Sequence, residues 1–189
     1  MAKKIFLIII CLIIIFFIYG CNDQKPPNIE TGKFPFRVIY EMNGEKYTIE
    51  DTIICKYSGL DHSALLPRKT RIWEEYLESE NEEKTALLKE KNITSILKAD
   101  RINDKIKVVL HYGRGEYYMG DPNTKFLIHG KPHICYIEKY KESPKIIHYE
   151  STDLDEKELE KYFGIQIIEF EFSKPIKNKF NWFSWDIRN

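Results

Sequence analysis

Two alternating stretches around Asn43-Gly44 constrain the fold of this chain more than any other feature. Apolar residues recur at every second position from Phe36 to Met42, and the same period continues from Tyr47 to Tyr57. An Asn-Gly pair suits a two-residue hairpin turn, and period two is the spacing of a strand with one buried face. The sequence therefore predicts a β-hairpin, with Cys55 on its apolar face as a small buried side chain.

Further short strands are predicted along the rest of the chain. Thr70 to Leu77 fits either a strand or a short helix, because its periodicity does not separate the two. Gly113 to Asn123 is an aromatic segment flanked by glycines and ending in a turn. The remaining predicted strands are 85–88, 106–112, 126–128, 134–140, 145–149 and 165–172.

One helix is predicted late in the chain, from about Asp153 to Phe163. Ser151 to Asp153 offer side chains that can cap its first turn, and Gly164 follows its last one. The predicted fold class is α+β, mostly antiparallel sheet with this one late helix. A single β-rich domain is expected over residues 34–179.

The first twenty-one residues predict where the protein is located in the cell. Lys3-Lys4 precedes fifteen apolar residues from Ile5 to Tyr19, which at about 1.5 Å per residue reach only ~22 Å of the ~30 Å needed to span a membrane. This pattern is typical of a signal peptide, residues 1–20. The alternative is an uncleaved signal anchor.

The residues that end the apolar run resemble a lipobox. Ile18-Tyr19-Gly20-Cys21 places an aliphatic residue, a small residue and a cysteine in the order used by bacterial lipoproteins, although the ring of Tyr19 departs from the usual pattern. Lipidation with palmitate-type chains is therefore expected at Cys21, and two acyl chains hold a protein stably on a membrane. Residues 21–33 are then predicted to form a tether between the lipid and the folded domain.

Composition excludes some partners. Cleavage would remove Lys3 and Lys4 and leave 27 basic against 29 acidic residues, a net charge of −2. With both signs interspersed, nucleic acid is not an expected partner. Cys55 and Cys135 are the other cysteines of the mature chain, and an extracytoplasmic setting permits a bridge between them without requiring one.

No catalytic motif is legible in the sequence. Gly113-Arg114-Gly115 fails as a dinucleotide fingerprint, because Tyr118 occupies the place of the third glycine and the segment is expected to end a strand without opening a helix. Asp153 and Asp155 begin like a calcium loop, but Glu158 stands where glycine is needed. No cofactor is expected.

Two sets of side chains are candidates for a site. His129, His133 and Cys135, with His111 on a nearby strand, are the candidates for a metal centre, the alternative being surface histidines and a core cysteine. Glu116, Tyr117 and Tyr118 are the candidates for ligand binding through ring faces and one carboxylate, unless they pack across a strand edge.

Several segments together resemble one family: 34–40 (FPFRVIY), 50–55 (EDTIIC), 116–121 (EYYMGD), 158–165 (ELEKYFGI) and Pro175-Ile176. These segments are similar to the uncharacterised lipoproteins of Gram-positive, Clostridium-like and Bacillus-like bacteria, over Phe34 to Phe180. The resemblance implies lipoprotein status and a β-rich domain. No activity is established for that family, so the resemblance transfers no catalytic residue.

The aromatic tail 180–189 lies beyond that resemblance. It contains Phe180, Trp182, Phe183 and Trp185, and it either packs back onto the sheet or contacts a membrane or partner. The expected function is a membrane-anchored extracytoplasmic lipoprotein acting as a binding or interaction module for a protein or small molecule. The alternative is a cell-envelope hydrolase or metal-dependent enzyme.

Overall fold

The computed structural model describes residues 26–61, 70–81, 85–91, 96, 105–123, 130–143 and 146–180. The predicted signal peptide, Cys21, the predicted strand 126–128 and most of the aromatic tail lie outside these residues. Within the described ranges, no helix is long and apolar enough to span a membrane.

The described residues form two antiparallel sheets and two short helices, which confirms the predicted α+β class. The elements in chain order are β1 (Thr31–Met42), β2 (Glu45–Leu60), β3 (Arg71–Leu77), β4 (Ala86–Lys91), β5 (Lys105–His111), α1 (Gly115–Tyr118), β6 (His133–Ser143), β7 (Ile146–Asp153), α2 (Glu156–Phe163) and β8 (Ile165–Phe172). One sheet has the strand order β3-β2-β1-β8 and the other β4-β5-β6-β7.

The predicted hairpin is the centre of the first sheet. β1 and β2 pair antiparallel from Met42 opposite Glu45 to Thr31 opposite Lys56. Asn43 and Gly44 both have positive φ, 56° and 80°, as a tight hairpin turn of this kind requires. The prediction is confirmed.

The hairpin is longer than predicted at its open end. The sequence assigned residues 21–33 to a tether, but β1 begins at Thr31, so 31–33 belong to the sheet. This stretch has no apolar side chain, so no alternation marks it as a strand in the sequence. Its backbone nevertheless pairs with β2 as far as Lys56. Ahead of it, Pro27 forms a bridge to Phe180, and the amide N–H of Ile29 donates to Oδ1 of Asn178 at 3.1 Å.

Strand pairing identifies the structure of a segment whose periodicity fitted more than one element. Thr70 to Leu77 fitted a strand or a helix, and Arg71–Leu77 is strand β3, antiparallel to β2. In the second sheet β5 pairs with β6 throughout, from Lys105 opposite Lys139 to His111 opposite His133. The predicted strands 85–88, 106–112, 134–140 and 145–149 correspond to β4 to β7.

The late helix forms, but its predicted N-cap is wrong. Residues Ser151 to Asp153 belong to β7, where Asp153 pairs with Cys135. The cap is Asp155, whose carboxylate accepts from the Glu158 amide while the Glu158 side chain accepts from the Asp155 amide. Gly164, with φ of 64°, ends the helix as predicted.

One hydrophobic core joins the two sheets. On β1 the alternate residues Phe34, Phe36, Val38 and Tyr40 are buried, and the hydroxyl of Tyr40 donates to the Leu87 carbonyl of β4 at 3.2 Å. The second sheet contributes its own alternate residues from β5 and β6. These include Ile106, Val108, Leu110, Ile134 and Tyr136.

Candidate functional site

The aromatic segment singled out in the sequence folds as one helical turn, α1, against the edge strand β3. The expectation that this segment opens no helix is therefore wrong. An added Cβ on Gly115 would lie 2.6 Å from Cβ of Trp73. The close approach of α1 to β3 thus depends on glycine at this position.

Tyr118, one of the three predicted binding residues, is a core side chain. It is fully buried, its ring centroid lies 4.8 Å from that of Phe34, and its hydroxyl donates to the Tyr112 carbonyl. Burial raises the pKa of Tyr118 far above its ordinary value. Tyr117 is half-buried and meets Tyr118 edge-on at 5.0 Å. The packing interpretation holds for Tyr118.

Glu116, the third predicted binding residue, lies near a second half-buried carboxyl group, Glu75 on β3. Oε2 of Glu75 accepts a hydrogen bond from the Gly115 amide at 3.3 Å. Oε2 of Glu116 is buried and has no hydrogen-bond partner among the described residues. The two acids sit where α1 covers the core-facing side of β3.

Burial governs the ionisation of both acids. It raises the pKa of Glu116, and the charges of Glu75 and Asp121 add to this rise while the Glu116 amide and Arg114 oppose it. Burial also raises the pKa of Glu75, opposed by the Gly115 amide and Arg114. Burial therefore disfavours the charged form of each acid, and this pair of carboxyl groups does not suit an anionic ligand.

A buried ion pair fixes the far side of α1. The carboxylate of Asp121 accepts from Nη1 of Arg71 at 3.2 and 3.4 Å and from Nε1 of Trp73 at 3.0 Å. Arg71 also lies over the ring of Phe180, 4.2 Å from its centroid. These side chains join α1, β3 and the C-terminal segment, which is a structural role.

The metal candidates are only partly brought together. His111 and His133 are opposite residues of β5 and β6, and their rings stack with centroids 4.7 Å apart. Nε2 of His133 lies 3.3 Å from Oδ1 of Asp153. His129 is outside the described residues, and among those that are described no group of three or more His, Cys, Asp or Glu is placed to hold a metal ion.

Both described cysteines are free, buried thiols. Burial, with the charge of Asp153, raises the pKa of Cys135 to about 11. Burial, with the charges of Glu75 and Glu116, raises the pKa of Cys55 to about 12. Neither thiol is activated for nucleophilic chemistry.

A surface that none of the sequence predictions named lies where β1 and β8 meet. It is an open groove of about 610 Å³, which we call the aromatic groove. Phe36 and Phe172 stack face to face with centroids 5.0 Å apart, and Phe170 lies 4.9 Å from Phe172. The groove is lined by Pro35, Phe36, Arg37, Phe170, Glu171, Phe172 and Ser173.

One end of the groove is closed by hydrogen bonds between Ser173 and Pro35, and one of its rings is exposed. The amide and hydroxyl of Ser173 both donate to the Pro35 carbonyl, at 3.2 and 2.7 Å. Phe36 is buried, whereas Phe170 is 40% exposed. An apolar side chain from a ligand would gain contact with this ring without displacing protein atoms.

One signal in the sequence points to this surface. In β8 the apolar residues Ile165 and Ile167 are out of phase with Phe170 and Phe172, and Ile168 falls between them. The pairing register with β1 shifts at this point, between Ile39 and Tyr40. The bulge returns Phe170 and Phe172 to the core-facing side of the sheet.

Comparison with protein-family models, curated proteins and solved structures gives no match.

Proposed function

We propose that this chain is a lipid-anchored binding module on the extracytoplasmic face of a bacterial cell membrane, with the aromatic groove as its binding surface. The observation that carries the proposal is a row of three contacting rings at the open groove: buried Phe36 stacks on half-buried Phe172, and exposed Phe170 lies tilted against Phe172. Exposed aromatic surface of this kind typically marks a contact with a ligand or partner.

The anchor in this proposal rests on the sequence. Lys3-Lys4, an apolar run about 8 Å too short to span a membrane, and Gly20-Cys21 support cleavage before Cys21 and its lipidation. The described domain begins only a few residues later, with Pro27 bridged to Phe180. The module would therefore stand close to the membrane surface.

Intact mass of the protein recovered from bacterial membranes tests the anchor. We expect the wild-type chain to lack residues 1–20 and to carry added lipid. Cys21→Ser should keep residues 1–20 and lose the lipid, whereas Cys11→Ser is the matched control and should be processed normally. A wild-type protein that retains residues 1–20 without lipid would establish the signal-anchor alternative.

An enzyme is the second candidate, and one observation favours it. Glu75 and Glu116 both have raised pKa values, as the general acid of a hydrolase requires. Hydrolysis of a cell-wall polymer by the wild-type chain, lost in Glu116→Gln but retained in the exposed-site control Glu160→Gln, would replace the binding proposal.

A further inference from the structure

β8 presents a free edge of the first sheet. It stands last in the strand order, and among the described residues no strand pairs with its outer side. Its sequence, IQIIEFEF, contains neither proline nor lysine, and it exposes Ile168 and Phe170. Natural edge strands usually carry proline, lysine or other charged residues, or a bulge, to prevent pairing. β8 has a bulge and two acidic residues, and beyond the bulge Glu169 to Phe172 pair in regular register with β1.

The two faces of β8 beyond the bulge differ in chemistry. Phe170 and Phe172 lie opposite Val38 and Phe36, on the side of the groove, while Glu169 and Glu171 lie on the other face. Arg37 is 3.6 Å from the carboxylate of Glu169 and 4.0 Å from that of Glu50. Glu171 is exposed and has no ion-pair partner among the described residues.

This charge pattern argues against a second copy of the chain as the occupant. In an antiparallel pair, directly opposite residues share a face. Two β8 strands paired with Phe170 opposite Phe170 would set Glu169 opposite Glu171, and two paired with Phe170 opposite Phe172 would set Glu171 opposite itself. Like charges directly opposite each other destabilise a sheet.

We propose that an extended peptide with alternating apolar and basic residues adds to β8 as a fifth strand of this sheet. Its apolar side chains would contact Phe170 and Phe172 in the aromatic groove, and its basic side chains would lie opposite Glu169 and Glu171. Main-chain hydrogen bonds to the free edge provide affinity, and the alternation provides specificity. This inference rests on the proposed binding function and names its partner class.

Fluorescence anisotropy with the full-length chain in detergent micelles tests the inference. The probe is a fluorescein-labelled octapeptide of alternating lysine and valine. One control peptide has glutamate in place of lysine. Another has its two central residues replaced by proline, which removes an N–H from each edge of the peptide.

We expect the lysine-valine peptide to bind, and both control peptides to bind at least about tenfold more weakly. Affinity should fall in about 0.5 M salt, where exposed charges are screened. Glu171→Lys should weaken binding about tenfold, and Phe170→Ser should weaken it without changing the circular dichroism spectrum. Glu160→Lys, on the exposed side of α2, is the matched charge control and should bind as the wild type does.

Several outcomes would overturn the inference. Absence of binding, equal affinity for the acidic or proline peptides, or unchanged affinity in Glu171→Lys would each reject strand addition of a basic peptide. A dimer in sedimentation that depends on Phe170 would identify a second copy as the occupant. Tighter peptide binding by a chain ending at Phe180 would identify residues 181–189 of the same chain as the occupant of the edge instead.

The proposed lipid anchor and the inferred peptide site can be rejected independently of each other. A chain whose mass shows lipid on Cys21 but which binds no peptide rejects this inference alone. A chain that binds the peptide but keeps residues 1–20 without lipid rejects the anchor alone.

Discussion

Glu75 and Cys55 lie directly opposite each other in the β2–β3 pair, on the face of the sheet that carries the core. The carboxyl group and the thiol both lose solvation there, and each has a raised pKa. A charge on one disfavours a charge on the other. Burial at this position therefore disfavours the charged form of both groups.

Cys55 and Cys135 should resist alkylation in the folded protein. Their pKa values, about 12 and about 11, leave very little thiolate at about pH 8. We expect iodoacetamide to leave both sites unmodified in buffer and to modify both in urea, as read by site-resolved mass spectrometry. Rapid labelling of Cys55 in the native state would contradict its burial.

Glu116→Gln should stabilise the protein at neutral pH. A carboxyl group whose pKa is raised on folding binds more protons in the native than in the unfolded state. Its contribution is therefore fully present below the unfolded pKa of about 4.3 and is lost as pH rises through the folded value. The groups that face Glu116 are Glu75 on β3, Cys55 on β2, and Arg114 and Asp121 beside α1.

Urea unfolding between about pH 4 and 8 measures this effect. We expect the variant to gain about 1 kcal/mol over the wild type at the upper end, because burial penalises the ionised carboxylate that an amide cannot form, and little at the lower end. Glu160→Gln, an exposed site on α2, should show no such trend. A gain independent of pH would mean that ionisation of Glu116 is not its cause.

Asp121→Asn should destabilise the domain by about 3 kcal/mol, because it leaves the buried Arg71 charge without its counter-ion. Lys33→Met breaks an exposed ion pair of shorter distance, 2.6 Å to Glu78. Exposed pairs are screened by water and contribute little, so this matched variant should unfold at nearly the wild-type urea concentration. Equal losses in the two variants would contradict the structural role of Asp121.

Gly120→Ala and Gly164→Ala separate backbone strain from a steric clash. Both glycines have φ of 64°, so each substitution incurs the same left-handed strain of roughly 1 to 2 kcal/mol. At Gly164 an added Cβ meets nothing within 4 Å, whereas at Gly120 it falls on the carbonyl oxygen of Ile176. We expect Gly120→Ala to cost about 2 kcal/mol more in urea unfolding. Equal losses of stability in the two variants would mean that the segment after β8 moves away from the added Cβ at no measurable cost.

Local sequence patterns predicted the hairpin and the late helix, because these elements depend mainly on residues close together in the chain. The Asn43-Gly44 hairpin needed only its turn residues and the alternation on either side. The late helix was predicted from the capping side chains Ser151 to Asp153 and from Gly164 at its end, but its N-cap is Asp155, two residues beyond the last of those candidates. Ser151 to Asp153 and Asp155 offer similar side chains, and only the pairing of β7 with β6 decides between them.

The candidate site depended on contacts that a sequence does not display. Tyr117 and Tyr118 read equally well as ligand-binding rings or as packing, and the neighbour that decides for Tyr118 is Phe34, far away in the chain. α1 is too short for a helical period to be visible. Phe170 and Phe172 alternate as core residues do, and their exposure follows from the place of β8 at the sheet edge.

The bridge between Pro27 and Phe180 has a mechanical consequence for a protein held by its N-terminus. Tension on the chain reaches the sheet at Thr31, the first residue of β1, which is flanked by β2 on one side and β8 on the other. β1 and β8 are antiparallel, with Phe36 opposite Phe172 at the end of the pair from which the N-terminal and C-terminal segments continue. A pull between the two ends of the chain therefore loads the perpendicular hydrogen bonds of this pair one after another and peels the strands apart. Before this pair takes the load, the Pro27–Phe180 bridge and the two hydrogen bonds between Ile29 and Asn178 must break. Force spectroscopy on the protein pulled between its two ends should therefore show a small early event that Asn178→Ala removes, followed by low-force separation of β1 from β8 that the variant leaves in place.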